Sequence, residues 1–226
     1  VGLSVVTLGT ACTTPASKTK DHPNIIYILA DDMGYGDVSC LNPQSKIQTP
    51  NLDNMASQGM AFTDAHSNSA VSTPTRYGIL TGRYAWRSKL KQGVTWSYDE
   101  HLIAPERMTV ASLLKDHGYS TACIGKWHLG LDWQKDSIGR PDFLQPIKNG
   151  PTTNGFDYFY GITASLDIPP YFYIENDHIT TNQIDTIEGT SGKGFWREGP
   201  IGSDFVHEEV LPHLTRKALD YIDAQA

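Results

Sequence analysis

The stretch GYSTACIGKWH, residues 118–128, joins a strand pattern to charged and aromatic side chains at its end. Residues 119–124 are predicted to form a buried strand, because they make a short and largely apolar run. Lys126 and His128 follow it two positions apart, so their side chains point the same way if the chain stays extended. This arrangement suits anion binding by Lys126 and proton transfer by His128. Taken singly, each is more often an ordinary surface residue.

A second apolar run, residues 24–30, ends in two adjacent carboxylates, Asp31 and Asp32. Its β-branched composition predicts a strand buried on both faces of a parallel sheet. Open α/β sheets bind their ligands at the carboxyl ends of such strands, where these aspartates lie. Adjacent carboxylates repel each other unless a cation neutralises them, and Ca²⁺ takes carboxylate oxygens as ligands. A solvated turn is the alternative, because Asp is common in turns.

Strand and helix patterns alternate along the chain, which predicts an α/β fold with a mostly parallel sheet flanked by helices. Residues 131–155 are polar and rich in Gly and Pro, so they are predicted to be a loop region. The last segment has helical spacing but no capping glycine, and we interpret residue 226 as a truncation point. The predicted helices are residues 49–57, 74–82, 110–117 and 207–226, and the further predicted strands are residues 60–67, 158–160 and 171–174.

Ser72 lies just before the predicted helix of residues 74–82. The backbone N–H groups and the dipole at a helix N-terminus favour anions, so a hydroxyl nucleophile there could act on one. Arg76, one turn into the helix, can supply forked donors to an oxyanion. The alternative is that Ser72 is an N-cap and Arg76 a surface charge.

The composition excludes a nucleic-acid binder that works through a basic surface. The chain has 226 residues and a net charge of −7, with 39% hydrophobic and 19% charged residues. A nucleic-acid-binding domain needs a basic face, which an acidic chain of this kind does not predict. For an anionic substrate, the positive charge must therefore be confined to a pocket.

The N-terminus is predicted to be a processing segment. Residues 1–12 are small and apolar and end in Cys12, which resembles the end of a bacterial lipoprotein signal with Cys12 as the lipidated residue. Residues 13–22 form a polar tether. A frayed tail with an incidental cysteine is the alternative. A lipid-anchored protein of the periplasm or cell surface is the expectation, with the membrane reached only through the anchor.

The three clusters together resemble the sulfatase family. Residues 70–82 match the first sulfatase signature, with Ser72 where many members carry cysteine, and residues 118–128 match the second. Residues 24–34 resemble the family's metal-binding strand. The resemblance runs from residue 23 to the end, so residues 23–226 are predicted to be an incomplete N-terminal catalytic domain. It implies an alkaline-phosphatase-like fold.

The resemblance also implies a role for each matched residue. Ser72 would be oxidised to formylglycine by a maturation enzyme of an anaerobic host, and its hydrate would attack sulfur. Asp31 and Asp32, with residue 72, would bind Ca²⁺. Arg76 would hold the formylglycine oxygens, and Lys126 would neutralise the charge of the sulfate. His128 would assist at the diol or at the leaving oxygen. The aromatic residues Trp127 and Tyr171 could stack on sugar rings, and core packing is the alternative for both.

One departure limits these expectations. Family members bring a second His, a further metal-binding pair and a late Lys from positions that this chain does not match. The chain is therefore expected to hold about half of an active site and to turn over poorly alone.

The substrate is predicted to be a sulfated sugar. Residues 165–176 resemble sulfatases of sugar degraders, including ones that act on N-acetylgalactosamine 6-sulfate. A formylglycine-dependent phosphonate or phosphate ester hydrolase is one alternative. A non-catalytic surface lipoprotein that binds glycans is the other.

Overall fold

The computed structural model describes residues 22–225 and divides the chain into two compact units, Val1–Ala61 and Phe62–Ala226. The predicted signal segment and Cys12 lie outside the described residues and stay predictions. None of the helices within residues 22–225 is long and apolar enough to cross a bilayer.

The first unit contains one α-helix, α1 (Pro50–Gln58), which agrees with the prediction. Its start is held by hydrogen bonds from Ser39 and Thr49 to the carboxylate of Asp53, at 2.6 and 3.0 Å. These contacts join α1 to the loop that precedes it.

The predicted buried strand at residues 24–30 is wrong in this structure. The segment is exposed, with 74% of Ile28 accessible, and it pairs with no strand among the described residues. A β-strand needs a neighbour to satisfy its backbone N–H and C=O groups, so apolar composition alone does not make one.

The second unit is built on a four-stranded mixed sheet in the order β1-β2-β3-β4. β1 and β2 are parallel, and the two other pairings are antiparallel. The α/β fold class is thus confirmed, but only one pair of the described sheet is parallel. No helix lies between β2 and β3, and a parallel return needs a longer crossover. The strands are β1 (Ala122–Lys126), β2 (Tyr158–Ile162), β3 (Tyr173–Glu175) and β4 (His178–Ile179), and a separate antiparallel pair is β5 (Ile184–Ile187) with β6 (Gly199–Gly202).

Three helices accompany the sheets, close to their predicted positions: α2 (Ser72–Thr81), α3 (Val110–Asp116) and α4 (Val210–Gln225). Thr109 caps the N-terminus of α3, since its side chain accepts a hydrogen bond from the Ser112 N–H at 3.0 Å. The predicted strand at residues 60–67 is wrong: that segment is exposed and contains no strand.

Two hydrophobic clusters support the second unit and fix the end of β1. Trp127 and Leu129, directly after β1, belong to the first cluster together with Phe159 of β2. The second cluster packs tyrosines of β2 and β3 against the start of α4. Each fully buried large side chain contributes about 1.5–3 kcal/mol relative to exposure. The residues on either side of His128 are therefore firmly anchored.

Candidate active site

Ser72 is the first residue of α2 rather than its cap. Val71 holds the N-cap position with an extended backbone and makes no side-chain capping bond. The Ser72 hydroxyl is therefore available for tertiary contacts. The N-cap alternative for Ser72 does not hold in this structure.

The Ser72 hydroxyl lies between two nitrogen-bearing side chains. Arg76 Nε donates a hydrogen bond to Ser72 Oγ at 3.0 Å, since residues four apart share a helix face. His128 Nδ1 lies 3.1 Å from the same oxygen. Two residues 56 positions apart in sequence are thus brought into contact by the end of β1 and the start of α2.

The tautomer of His128 follows from its second contact. His128 Nε2 lies 3.0 Å from the backbone carbonyl of Thr95, and a carbonyl only accepts hydrogen bonds. Nε2 therefore carries the proton. In the neutral ring the lone pair of Nδ1 then faces Ser72 Oγ, which makes His128 a base positioned for that hydroxyl.

The main chain of His128 is held as firmly as its ring. Its carbonyl accepts hydrogen bonds from the hydroxyls of Thr73 at 2.9 Å and Thr95 at 3.1 Å. Its N–H donates to the Thr163 carbonyl at 3.0 Å. The residue has a φ of 53°, a left-handed conformation that a non-glycine residue keeps only when its surroundings impose it.

Arg76 also links α2 to the end of β1. Its Nη1 donates to the Lys126 carbonyl at 2.8 Å, while its Nε contacts Ser72. The guanidinium is half-buried, as is Lys126, the last residue of β1. A guanidinium in contact with Ser72, in a chain of net charge −7, is an arrangement that suits an anionic substrate.

The structure therefore brings the side chains of Ser72, Arg76 and His128 together with the main-chain carbonyl of Lys126 in the second unit. Asp31 and Asp32 lie in the first unit and are exposed, Asp32 with a φ of 60°. Within residues 22–225 no group of three or more metal-ligating His, Cys, Asp or Glu side chains occurs. The two carboxylates offer the oxygen donors that Ca²⁺ prefers, but fewer than the six to eight oxygens it takes.

The prediction that Trp127 binds substrate is corrected by its burial. Its ring is 2% exposed and stacks on His101, so no face is open to a sugar. Tyr171 is equally buried and donates its hydroxyl to the Arg197 carbonyl. Core packing, the alternative for both residues, is what the structure shows.

Sequence reasoning missed Thr95 and the role of Thr73. Thr73 lies inside the stretch 70–82 but was not singled out, and Thr95 lies in a loop without any motif. Both act through hydrogen bonds to His128, 33 to 55 residues away. No local pattern reports such a contact.

These contacts define an α/β protein whose serine hydroxyl is held between an imidazole base and a guanidinium. The Sulfatase family profile matches residues 23–196, and the chain belongs to that family. Its alkaline-phosphatase-like α/β domain matches a solved structure with a TM-score of 0.76 and 34% sequence identity. That structure comes from work on the metabolism of multiple glycosaminoglycans by Bacteroides thetaiotaomicron. The match covers 89% of this chain and 48% of the other.

Two curated relatives are also sulfatases. An N-acetylgalactosamine-6-O-sulfatase of Bacteroides thetaiotaomicron is 38% identical over 89% of this chain and 40% of its own length. The human steryl-sulfatase is 40% identical over 66% of this chain and 25% of its own length. The chain thus spans less than half the length of these relatives.

Proposed function

We propose that the protein is a sulfuric ester hydrolase in which Ser72 is the precursor of the nucleophile. The observation that carries the proposal is the position of Ser72 Oγ, 3.0 Å from Arg76 Nε and 3.1 Å from His128 Nδ1. A nucleophile in contact with a base that is itself oriented by a third group is the arrangement that covalent catalysis requires. Here the third group is the Thr95 carbonyl.

We propose further that Ser72 is converted to formylglycine. When hydrated, that group supplies a geminal diol as nucleophile. Arg76 Nε orients the oxygen at position 72, and Nδ1 of neutral His128 accepts a proton from it. Lys126 binds the negative charge of the sulfate. A half-buried setting strengthens these charged interactions, because fewer water molecules screen them.

Asp31 and Asp32 are the residues of this chain that would hold Ca²⁺, which would polarise a sulfate oxygen. Support for this assignment is their oxygen chemistry and their place in the stretch that resembles the family's metal-binding strand. Further ligands are required to complete the coordination.

The proposed substrate is a sulfated sugar of the N-acetylgalactosamine 6-sulfate type. The support is the curated relative that bears the name N-acetylgalactosamine-6-O-sulfatase. Serine rather than cysteine at position 72 supports maturation by an enzyme that works without oxygen. We also propose that Cys12 is lipidated and that the protein is located in the periplasm or at the cell surface.

Mass spectrometry of the peptide carrying Ser72, from protein made in its native host, tests the mechanism. Loss of two hydrogens at residue 72, with trapping by a hydrazine reagent, is the expected result. An unmodified serine would overturn the formylglycine mechanism and favour the glycan-binding lipoprotein.

A release assay that compares sulfate with phosphate esters separates the sulfatase from the phosphonate or phosphate ester hydrolase.

A further inference from the structure

A second cationic site borders the C-terminal half of α2. A cavity of about 460 Å³ is lined by Arg83, Arg87 and Arg107, and we call it the arginine cavity. Tyr77 of α2 also lines it, but none of Ser72, Arg76, Lys126 and His128 does. The charged residues of the cavity are therefore different from those of the candidate active site.

The charge of the arginine cavity is positive. Its wall carries the three arginines and Lys89, against the carboxylates of Glu106 and Asp132. Both Asp132 oxygens already accept hydrogen bonds, from the His101 N–H at 2.8 Å and from Asn149 Nδ2 at 2.7 Å.

The three arginines are not neutralised by carboxylates. Lys89 pairs with Glu100, but no guanidinium of the arginine cavity forms an ion pair within residues 22–225. Arg83 and Arg107 are half-buried, so water screens an anion bound to them less than it would at a fully exposed site.

Two buried polar side chains lie on the same wall and interact with each other. His101 is 8% exposed and Asn154 is 4% exposed, and a side-chain hydrogen bond with Asn154 acts on the pKa of the His101 ring. His101 Nδ1 lies 3.3 Å from the Gly130 carbonyl and so carries the proton, and burial lowers the pKa of the ring. In the neutral ring, Nε2 is therefore an acceptor.

We propose that the arginine cavity binds the sulfate group of a sulfated sugar. The arginines recognise the anion through forked hydrogen bonds. The cavity volume of about 460 Å³ is that of a small-molecule site and leaves room for a sugar ring that carries the sulfate. That the sulfate belongs to a sugar rests on the proposed function, whereas the anion site does not.

Calorimetric titration of the purified protein at low ionic strength tests this site. The probes are sodium sulfate, N-acetylgalactosamine 6-sulfate and unsulfated N-acetylgalactosamine. In the Arg83→Gln/Arg107→Gln variant we expect sulfate affinity at the cavity to fall about tenfold or more, because two charged donors are lost. Glu106→Gln removes a competing negative charge and is expected to tighten sulfate binding about twofold. Arg216→Gln, an exposed change on α4, is the matched control and should leave binding unchanged.

The outcomes separate the site from the proposed function. Sulfate affinity that is equal in wild type and the double variant, or lost equally in Arg216→Gln, overturns the site. Tighter binding of the sulfated sugar than of sulfate, if the double variant loses it, identifies a sugar ligand of the arginine cavity, and equal binding identifies free sulfate. Sulfate release from a chromogenic aryl sulfate tests the proposed function by itself, since binding to the arginine cavity does not depend on turnover.

Discussion

At His128, Thr95 holds both the ring and the main chain, and Thr73 adds a second bond to the main chain. The ring donates to the Thr95 carbonyl and faces Ser72, and the main-chain carbonyl accepts from Thr73 and Thr95. Because the carbonyl of Thr95 fixes the tautomer, the basic nitrogen of the neutral ring can only be Nδ1. The chemistry of this residue is therefore set by a loop with no motif of its own.

Replacing His128 by alanine removes the base at Ser72. We expect the rate of sulfate ester hydrolysis to fall about 10²–10⁴-fold, the usual contribution of a general acid or base. Steady-state kinetics on a sulfate ester measures the effect, and circular dichroism checks that the variant is folded. His178→Ala on β4 is the control, since that exposed ring pairs only with its neighbour Asp177. Unchanged activity in His128→Ala would contradict the assigned role.

The thiol of Cys123 is predicted to be unreactive in the folded protein. Burial raises its pKa to about 12, with only a small opposing effect from Arg76, so almost no thiolate forms near pH 8. Iodoacetamide at pH 8 should therefore label Cys123 only after unfolding. The exposed Cys40 is the internal control and should react in the native state. Labelling of both residues at equal rates would contradict the raised pKa of Cys123.

At the scale of elements, helices and strands depend on different parts of the chain. α3 begins with a capping bond between Thr109 and Ser112, three positions apart, and so forms where its own sequence specifies. β1 depends on β2, with Ala122 opposite Tyr158, and residues 24–30 stay exposed without such a partner. This difference explains why the helices were predicted well and two of the strands were not.

Replacing Thr109 by alanine should destabilise α3. The side chain accepts from the Ser112 N–H and donates to the Asn154 carbonyl at 2.6 Å, so both bonds are lost. We expect the free energy of unfolding to fall by about 1–2 kcal/mol. Urea unfolding measures it, with Thr186→Ala on the exposed strand β5 as the control, expected within about 0.5 kcal/mol of wild type. Equal stability of the two variants would rule out a capping role for Thr109.

At the scale of the whole molecule, the second unit contains a cluster of tyrosines whose ionisation opposes folding. Burial is the main cause that raises the pKa values of Tyr158, Tyr171 and Tyr173 to about 12. The folded state thus holds these protons more tightly than the unfolded state, where tyrosine ionises near pH 10. Their contribution to stability is complete below pH 10 and is lost as the pH rises from 10 to 12.

Alkaline unfolding should therefore be cooperative between pH 10 and 12 and sensitive to Tyr173. Tyr173→Phe removes a buried titrating group whose hydroxyl makes no hydrogen bond among the described residues, so the midpoint should move to higher pH. Far-UV circular dichroism across this range measures the midpoint. Tyr84→Phe at an exposed position should leave it unchanged. A midpoint that moves to lower pH in Tyr173→Phe would contradict the linkage.

The sequence by itself determined the family and the four helices, and it predicted Ser72, Arg76, Lys126 and His128 as site residues. These features are carried by residues that are close together in the chain, where helical hydrogen bonds, caps and signatures are formed. Only the tertiary structure decided the tautomer of His128, the burial of Trp127 and the exposure of residues 24–30. Each of these depends on a partner, present or absent, that lies far away in sequence, and packing and strand pairing between distant segments leave no local pattern.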